Sequence, residues 1–145
     1  MGCFAMASDM KIEDKIRANA RRAIEQLGPL SGIEFGYNRE SVVWLAGYIE
    51  QLRQNGVLDE ATKEGLVNVL GSYLGECIIH CFGGAWRELD GRWCVALDDG
   101  NVASPFAKVV KQMENGLDDS IKGFFDTIPV LLSVFGRPRE PRKPW

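Results

Sequence analysis

The sequence lacks an excess of charge of either sign. Its 17 lysines and arginines nearly balance its 20 aspartates and glutamates, which leaves a formal net charge of −3 over 145 residues. Nucleic-acid binding needs a concentrated positive field, so we expect no nucleic-acid partner. Disorder is not expected either, because 46% of the residues are hydrophobic and only 26% are charged.

Long hydrophobic runs are also missing. The most apolar stretches, residues 42–49 and 130–135, are interrupted and much shorter than the roughly 20 residues that cross a bilayer. The chain opens with Met-Gly-Cys, but Met6 stands where the myristoylation pattern requires Ser or Thr. We therefore expect no membrane span and no lipid anchor.

Cysteine is scarce and irregularly spaced. Cys3, Cys77, Cys81 and Cys94 do not form the dense framework of a small disulfide-stabilised secreted protein. This usage is typical of the reducing cytoplasm. The glycine motifs that cradle phosphates in nucleotide-binding proteins are absent as well.

A single histidine, His80, restricts the chemistry further. Cys94 with His80 would be the only thiol and imidazole pair available for nucleophilic catalysis. Zinc could be held only by a set built from Cys77, His80, Cys81 and Cys94. On a helix, His80 would lie about 60 to 100 degrees from Cys77 and Cys81. Buried free cysteine behaves as a small hydrophobe, so we favour core packing over a metal site.

The paired acids do not suggest catalysis either. Asp98-Asp99 and Asp118-Asp119 are adjacent in sequence and stand at a predicted turn and helix start, where aspartate commonly bonds to the backbone. We therefore expect a protein that is not an enzyme, with no catalytic residues and no cofactor.

The first half of the chain has the pattern of helices. Apolar residues recur every three or four positions over residues 8–27, a helix that Gly28-Pro29 should end. A loop over 29–37 follows. Asn38 should then cap a second helix, which Asn55-Gly56 should stop.

Asp59 should cap a long third helix that ends at Gly83-Gly84. Its predicted buried face consists of Leu66, Leu70, Tyr73, Leu74, Cys77 and Cys81. A polar stripe recurs every four residues on the other side: Glu64, Asn68, Ser72, Glu76 and His80. Gly71 and Gly75 lie inside the helix and should let another backbone approach closely.

Beyond residue 84 the pattern changes to that of a hairpin. Asp90-Gly91 can adopt the positive φ angles of a two-residue turn, and this turn sets the register. The predicted pairs are Leu89 with Arg92, Glu88 with Trp93, Arg87 with Cys94, and Trp86 with Val95. The face shared by Trp86, Trp93, Val95 and Leu97 should meet the helices. A short third strand should begin at Val102.

Two more helices complete the predicted domain. Ser104-Pro105 should open one, with the serine as its cap, and Asn115-Gly116 should end it. Asp118 should cap the last helix, which Pro129 should kink.

The whole pattern predicts a mainly helical α+β fold of about five helices, packed with a small antiparallel hairpin or three-stranded sheet. We expect one globular domain over residues 9–136, a disordered N-terminus over 1–8, and a flexible, basic, proline-rich tail over 137–145.

Part of this chain resembles a family of small bacterial domains of unknown function. Residues 66–125 carry the resemblance, in the segments Leu-Gly-Ser-Tyr-Leu-Gly-Glu-Cys-Ile-Ile, Gly-Gly-Ala-Trp, Gly-Arg-Trp-Cys-Val, Pro-Phe-Ala-Lys-Val and Glu-Asn-Gly-Leu-Asp-Asp-Ser-Ile. Some such domains look like immunity or accessory proteins that accompany secreted toxins. The resemblance implies a bacterial source and supplies no catalytic motif.

Two functional hypotheses follow. The first is a non-catalytic, cytoplasmic bacterial protein that binds a protein partner, of which an immunity-type inhibitor would be one kind. Its contact residues would be Glu76, Arg87, Glu88 and Arg92, although the polar stripe containing Glu76 could equally be a solvated face. The alternative is a module that binds a small molecule or a metal between helix 60–82 and the 86–97 hairpin. Its pocket would be lined by Tyr73, Cys77, Trp86, Trp93 and Cys94. In either case we expect a monomer or a small homo-oligomer.

Overall fold

The structure, a computed structural model, describes residues 11–98 and 100–134. Within these residues the mainly helical α+β fold is confirmed: five α-helices pack with one antiparallel sheet. The helices are α1 (Ile12–Ser31), α2 (Arg39–Gln54), α3 (Glu60–Phe82), α4 (Pro105–Asn115) and α5 (Ile121–Val134), with a 3₁₀ turn at Gly116–Asp119. The strands are β1 (Ala85–Leu89), β2 (Arg92–Ala96) and β3 (Val102–Ala103), in that order across the sheet. The predicted N-terminal segment 1–8 and tail 137–145 lie outside the described residues.

Helix α3 is the centre of the fold. Its most extensive contacts are with α1 and α4, and it also touches α2, α5 and β2. Residues 70–78 are buried without interruption, so this part of the helix is covered on every side. Among the described residues, α3 is also the one helix that is long and apolar enough to cross a membrane. Half of its most apolar stretch is buried in the protein, as in the core helix of any globular domain.

The predicted caps of α2 and α3 are confirmed. The Asn38 side chain accepts a hydrogen bond from the backbone N–H of Ser41 at 2.9 Å. Asp59 does the same for Thr62 at 2.8 Å. Each bond satisfies an amide that has no partner within its own helix. The predicted stop after α2 is confirmed as well, because Gly56 adopts a φ of +71°.

The hairpin forms with the predicted register. Asp90 and Gly91 have φ angles of +53° and +78°, which suit a tight two-residue turn between twisted strands. All four predicted pairs are present, and Ala85 pairs additionally with Ala96. The short third strand is also present and pairs with β2. Trp86, Val95 and Leu97 are buried and Trp93 is half-buried, so the predicted face does meet the helices.

The predicted end of the first helix is wrong. Helix α1 continues through Gly28-Pro29 to Ser31, and Gly32 then stops it with a φ of +71°. A proline lacks the N–H that the helix would use, which costs one hydrogen bond but does not prevent another turn. The Ser31 hydroxyl donates to the Gly28 carbonyl at 2.9 Å and supplies a partner for it within that last turn.

Two predicted caps near the C-terminal helices are also wrong. Ser104 precedes α4, but its side chain makes no capping hydrogen bond. Helix α5 is capped by Ser120, whose hydroxyl accepts from the backbone N–H of Gly123 at 3.0 Å. Asp118 lies in the preceding 3₁₀ turn. Serine and aspartate can both cap a helix, so a turn that contains several of them offers more than one possible start. The 3₁₀ turn at Gly116–Asp119 moves the start of α5 by two residues.

The glycines of α3 make room for aromatic rings rather than for another backbone. A methyl group at Gly71 would lie 2.3 Å from the Phe106 ring, and one at Gly75 would lie 2.1 Å from the Trp86 ring. Gly84, after the helix, is the position where a Cβ would meet backbone, 2.6 Å from the Ala96 carbonyl oxygen.

The polar stripe of α3 is not a continuous solvated face. Ser72 is 1% exposed and Glu76 is 6% exposed, whereas Glu64, Asn68 and His80 are exposed. The stripe enters the core where α1, the sheet and α4 cover the middle of α3. At the end of the helix, Cys81 is exposed, so its predicted place on the buried face is wrong.

Candidate ligand-binding groove

A groove of about 410 Å³ lies between α1, α3, β2 and the start of α4. Cavities that bind small organic ligands typically measure about 300 to 1,000 Å³, so this volume is sufficient for one. Its lining comes from all four elements: Ile12, Lys15, Ile16 and Asn19 of α1; Asn68 and Ser72 of α3; Arg92, Trp93 and Cys94 of β2; and Ser104, Phe106 and Ala107 at the start of α4. We call this feature the groove.

The groove exists because α3 carries short side chains where its neighbours carry long ones. Phe106 packs directly against α3 because Gly71 has no side chain. The adjacent Ser72 is small, and its hydroxyl is turned to the Asn68 carbonyl, to which it donates at 2.7 Å. The ring of Phe106 therefore forms a wall, while Ser72 leaves the space beside it unfilled.

The walls of the groove are largely apolar. Ile16 is buried in the core, and Trp93 and Phe106 are half-buried against it. Ile12 remains 45% exposed. Contact with an apolar ligand would remove more of this surface from water, and such burial is worth roughly 25 cal/mol per Å².

The charged side chains that line the groove, Lys15 and Arg92, are both cationic. Neither forms an ion pair with any residue in 11–98 or 100–134. Amides of Asn19 and Asn68 supply further donors and acceptors. No carboxylate of the described residues lines the groove, so the charge that these residues contribute there is positive.

Among the described residues, Cys94 is the one thiol in the lining of the groove. It is 7% exposed, and its Sγ lies 3.6 Å from the Ser104 hydroxyl oxygen. His80, its proposed catalytic partner, belongs to a different cluster, where its ring stacks on Tyr37 at 4.5 Å and lies 3.7 Å from Glu76. The described residues therefore form no Cys94–His80 dyad.

The predicted pocket is only partly the one observed. Trp93 and Cys94 line the groove, whereas Tyr73, Cys77 and Trp86 do not. Tyr73 donates its hydroxyl to the Gly36 carbonyl. Burial raises the pKa of both Tyr73 and Cys77, so both side chains stay neutral in the core.

Trp86 is occupied elsewhere as well. It covers Gly75, and its indole N–H donates to the Glu76 carboxylate at 2.8 Å. This bond gives the buried carboxylate a partner, which a buried charge requires.

The proposed zinc ligands are dispersed. Cys77 is buried beside Tyr73, Cys81 is exposed with its Sγ 3.7 Å from the Tyr37 carbonyl, and Cys94 lines the groove. Among residues 11–98 and 100–134, no three His, Cys, Asp or Glu side chains are placed to hold a metal ion.

The predicted partner-contact residues are split in the same way. Arg87, Glu88 and Arg92 are exposed on the hairpin, while Glu76 is buried beneath Trp86. Arg92 also lines the groove. The structure therefore places three of the four on one exposed element.

A second depression, of about 550 Å³, lies between the first half of α3 and α4. It is lined by three exposed glutamates, Glu60, Glu64 and Glu114, together with Lys63 and a few apolar side chains. Exposed charged walls bury little of a ligand, so the groove is the better binding site.

Sequence reasoning missed the contributions of α1 and α4 to the groove. Ile12 and Ile16 were recognisable as the apolar stripe of an amphipathic helix. That stripe indicates a buried face, but it does not say which element the helix packs against.

Comparison with known proteins finds no matching family model, no matching curated protein and no matching solved structure. The resemblance of residues 66–125 to small bacterial domains therefore stays a prediction.

Proposed function

We propose that this protein binds a small organic molecule in the groove between α1, α3, β2 and α4. The observation that carries the proposal is a concave site of about 410 Å³ whose walls are largely apolar and whose polar groups come from several elements. This combination of apolar burial with a few polar contacts is typical of ligand sites.

The groove lies on a rigid part of the fold. Its floor is formed by the buried middle of α3, and its walls are formed by elements that pack against α3. A site built on such elements loses little conformational entropy when it binds a ligand. The described residues supply no catalytic dyad there, so the proposal is for binding rather than turnover.

The test is ligand-induced stabilisation with a variant that fills the site. Purified protein would be screened by thermal unfolding against charged and uncharged aromatic and aliphatic molecules. A ligand of the folded state at a hundred times its Kd should add about 2.7 kcal/mol to the free energy of unfolding. Ala107→Trp, placed in the groove, should abolish this stabilisation. Lys111→Trp, on the same helix but outside the groove, should retain it.

Stabilisation that survives Ala107→Trp would show that the ligand binds elsewhere and would contradict the proposal. Failure of every molecule to stabilise the unmodified protein would contradict it as well. Mass spectrometry of gently purified protein under native conditions would add an independent test, because a tightly held natural ligand would appear as a discrete added mass.

We propose protein binding by the hairpin as a second function, and a specific observation favours it. Leu89 is 37% exposed at the hairpin end, between the exposed Arg87 and Glu88 and the turn. An apolar side chain surrounded by charged ones is typical of small contact patches, and arginine often contributes strongly to them. Glu76 is left out of this proposal because Trp86 covers it.

The two functions can be separated by variants that share no residue. A partner captured from the source organism's extract should be lost with Leu89→Ser or Arg87→Ala and kept with Ala107→Trp. Val57→Ser, which changes another exposed apolar side chain (47% against 37% for Leu89) elsewhere on the surface, is the control. Equal capture by all four variants would contradict a role for the hairpin.

A further inference from the structure

The charges at the groove narrow the class of ligand. We infer that the ligand is an amphipathic anion, with an apolar body between the walls and a carboxylate, sulfonate or phosphate group near Lys15 and Arg92. This inference rests on the proposed small-molecule binding. It concerns the chemistry of the ligand, which the shape of the groove alone does not determine.

Lys15 has no acidic partner in the part of the chain that the structure describes. The two acidic residues beside it on α1, Glu13 and Asp14, contact Arg17, at 2.8 and 3.4 Å. No carboxylate among residues 11–98 and 100–134 forms an ion pair with Lys15. Its ammonium group is therefore available at the edge of the groove for an anion from solution.

The surroundings of Arg92 are similar. Arg92 forms no ion pair with any described residue, and the residue opposite it in the hairpin is Leu89, which carries no charge. A guanidinium group with free N–H donors binds carboxylate and phosphate groups in a two-pronged geometry. Because both cations line one groove to which the described residues bring no carboxylate, an anion would gain from both and a cation would be repelled.

The apolar walls specify the rest of the molecule. Trp93 and Phe106 present aromatic surface to the groove, and Ile12 and Ile16 present aliphatic surface. A small inorganic anion would leave this surface in water, whereas an uncharged hydrocarbon would leave both cations unused. A molecule that carries both features uses the whole site.

The test compares three probes of nearly the same shape by titration calorimetry at low salt: 2-naphthoate, the uncharged 2-naphthylmethanol, and the cationic 2-naphthylmethylamine. The naphthoate should bind about tenfold more tightly than the alcohol, because hydrogen bonds to charged groups are substantially stronger than neutral ones. The amine should bind more weakly than the alcohol. Raised salt should weaken naphthoate binding and leave that of the alcohol unchanged.

Variants assign the effect to the two cations. Lys15→Gln and Arg92→Gln should each bring the affinity for naphthoate towards that for the alcohol, with no change for the alcohol itself. Arg22→Gln on α1 and Arg87→Gln on the hairpin are matched controls, since neither residue lines the groove, and both should bind naphthoate normally.

The outcomes distinguish the inference from the proposed function. Equal binding of naphthoate and alcohol would overturn the inference and leave the groove as a ligand site. No binding of any probe would contradict both. Binding of naphthoate only after removal of residues 1–10 would make that segment the occupant and overturn the inference. A dimer that forms at the groove and excludes the probe, as measured by sedimentation, would also overturn the inference.

Discussion

The two faces of helix α3 are packed in different ways. On one, which we call the loop face, the large side chain of Tyr73 packs with Phe35 and Tyr37 from the connection between α1 and α2, and Cys77 is fully buried beside it. On the other, the groove face, α3 offers Asn68, Ser72 and two glycines, and the aromatic rings come from β1 and α4.

The difference shows that side-chain size, rather than polarity, decides where the space beside α3 is filled and where a groove remains. The loop face is filled by its own aromatic residue, Tyr73, which is fully buried. The groove face depends on rings from other elements. Trp86 covers Gly75 completely, whereas Phe106 covers Gly71 and leaves space beside Ser72. The groove is the part of this face that no ring fills.

The largest effect on stability is expected from adding a methyl group beneath Trp86. In Gly75→Ala the new methyl group would lie 2.1 Å from the indole ring, which is buried and bonded to Glu76. The ring must move, and its hydrogen bond to the buried carboxylate will be weakened or lost. We expect the free energy of unfolding to fall by about 3 kcal/mol, as measured by urea denaturation.

Gly65→Ala is the matched control on the same helix. Gly65 is exposed, and no atom lies within 4 Å of the position a Cβ would take. Alanine favours helix over glycine, so this variant should be more stable than the parent by up to about 1 kcal/mol. If the two variants unfolded at the same urea concentration, the packing of Trp86 on Gly75 would not have the importance given to it here.

An intermediate effect is expected on the loop face. Tyr73→Phe removes the hydroxyl that donates to the Gly36 carbonyl and leaves that carbonyl without its partner. The free energy of unfolding should fall by about 1 kcal/mol, and ligand binding in the groove should not change. Tyr48→Phe is the control, because within the described residues the Tyr48 hydroxyl makes no hydrogen bond. A Tyr73→Phe variant that lost ligand binding would show that the two faces are coupled.

The smallest effect is expected away from both faces, at the ion pair between α2 and α5. Arg39 donates two hydrogen bonds to the Asp126 carboxylate, at 2.8 and 3.0 Å, and Lys122 lies 3.3 Å from it. These contacts, with Arg39 the larger cause, lower the pKa of Asp126 to about 2. In the unfolded chain an aspartate titrates near 3.9, about the usual value. The stabilisation is therefore fully present above about pH 4 and is lost as the pH falls through about 2.

Arg39→Gln should accordingly be less stable than the parent at pH 6, and the difference should disappear towards pH 2. Because both side chains are substantially exposed, solvent screening keeps the difference small. Urea denaturation at several pH values measures it, with Arg22→Gln as a control that changes an exposed arginine outside this pair. A difference that stayed constant down to pH 2 would contradict the assigned role of Asp126.

Most of the local structure could be predicted because its causes are local. Asn38 and Asp59 bond to amides three residues away, and Asp90-Gly91 fixes the hairpin pairing from within the turn. Prediction failed where neighbouring residues offered alternatives. Ser120 rather than Asp118 caps α5, and Pro29 did not end α1, because a serine hydroxyl and a left-handed glycine completed one more turn.

The candidate site could be predicted only in part. Of the predicted pocket residues, Trp93 and Cys94 line the groove, and the hairpin register that orients them follows from the turn at Asp90-Gly91. Tyr73 and Cys77 were predicted in the same pocket as residues of the apolar face of α3, but they do not line the groove, and Tyr73 stacks on Phe35 at the loop face. Lys15 and Phe106 were missed because they reach the groove only through the packing of α1 and α4 on α3.

The sequence by itself determined the order of helices and strands, the caps of α2 and α3, the hairpin register, and a composition that supplies a core. Only the tertiary structure decided which elements pack against one another and which side chains they bring into contact. Gln112 is an example, since it lies fully buried and bonds to the Ala46 carbonyl of α2 and the Ile121 amide of α5, at 2.7 and 2.9 Å. Capping and turn formation involve residues a few positions apart, whereas a groove or a buried amide requires partners from distant segments, and their packing follows from the shape of the whole core.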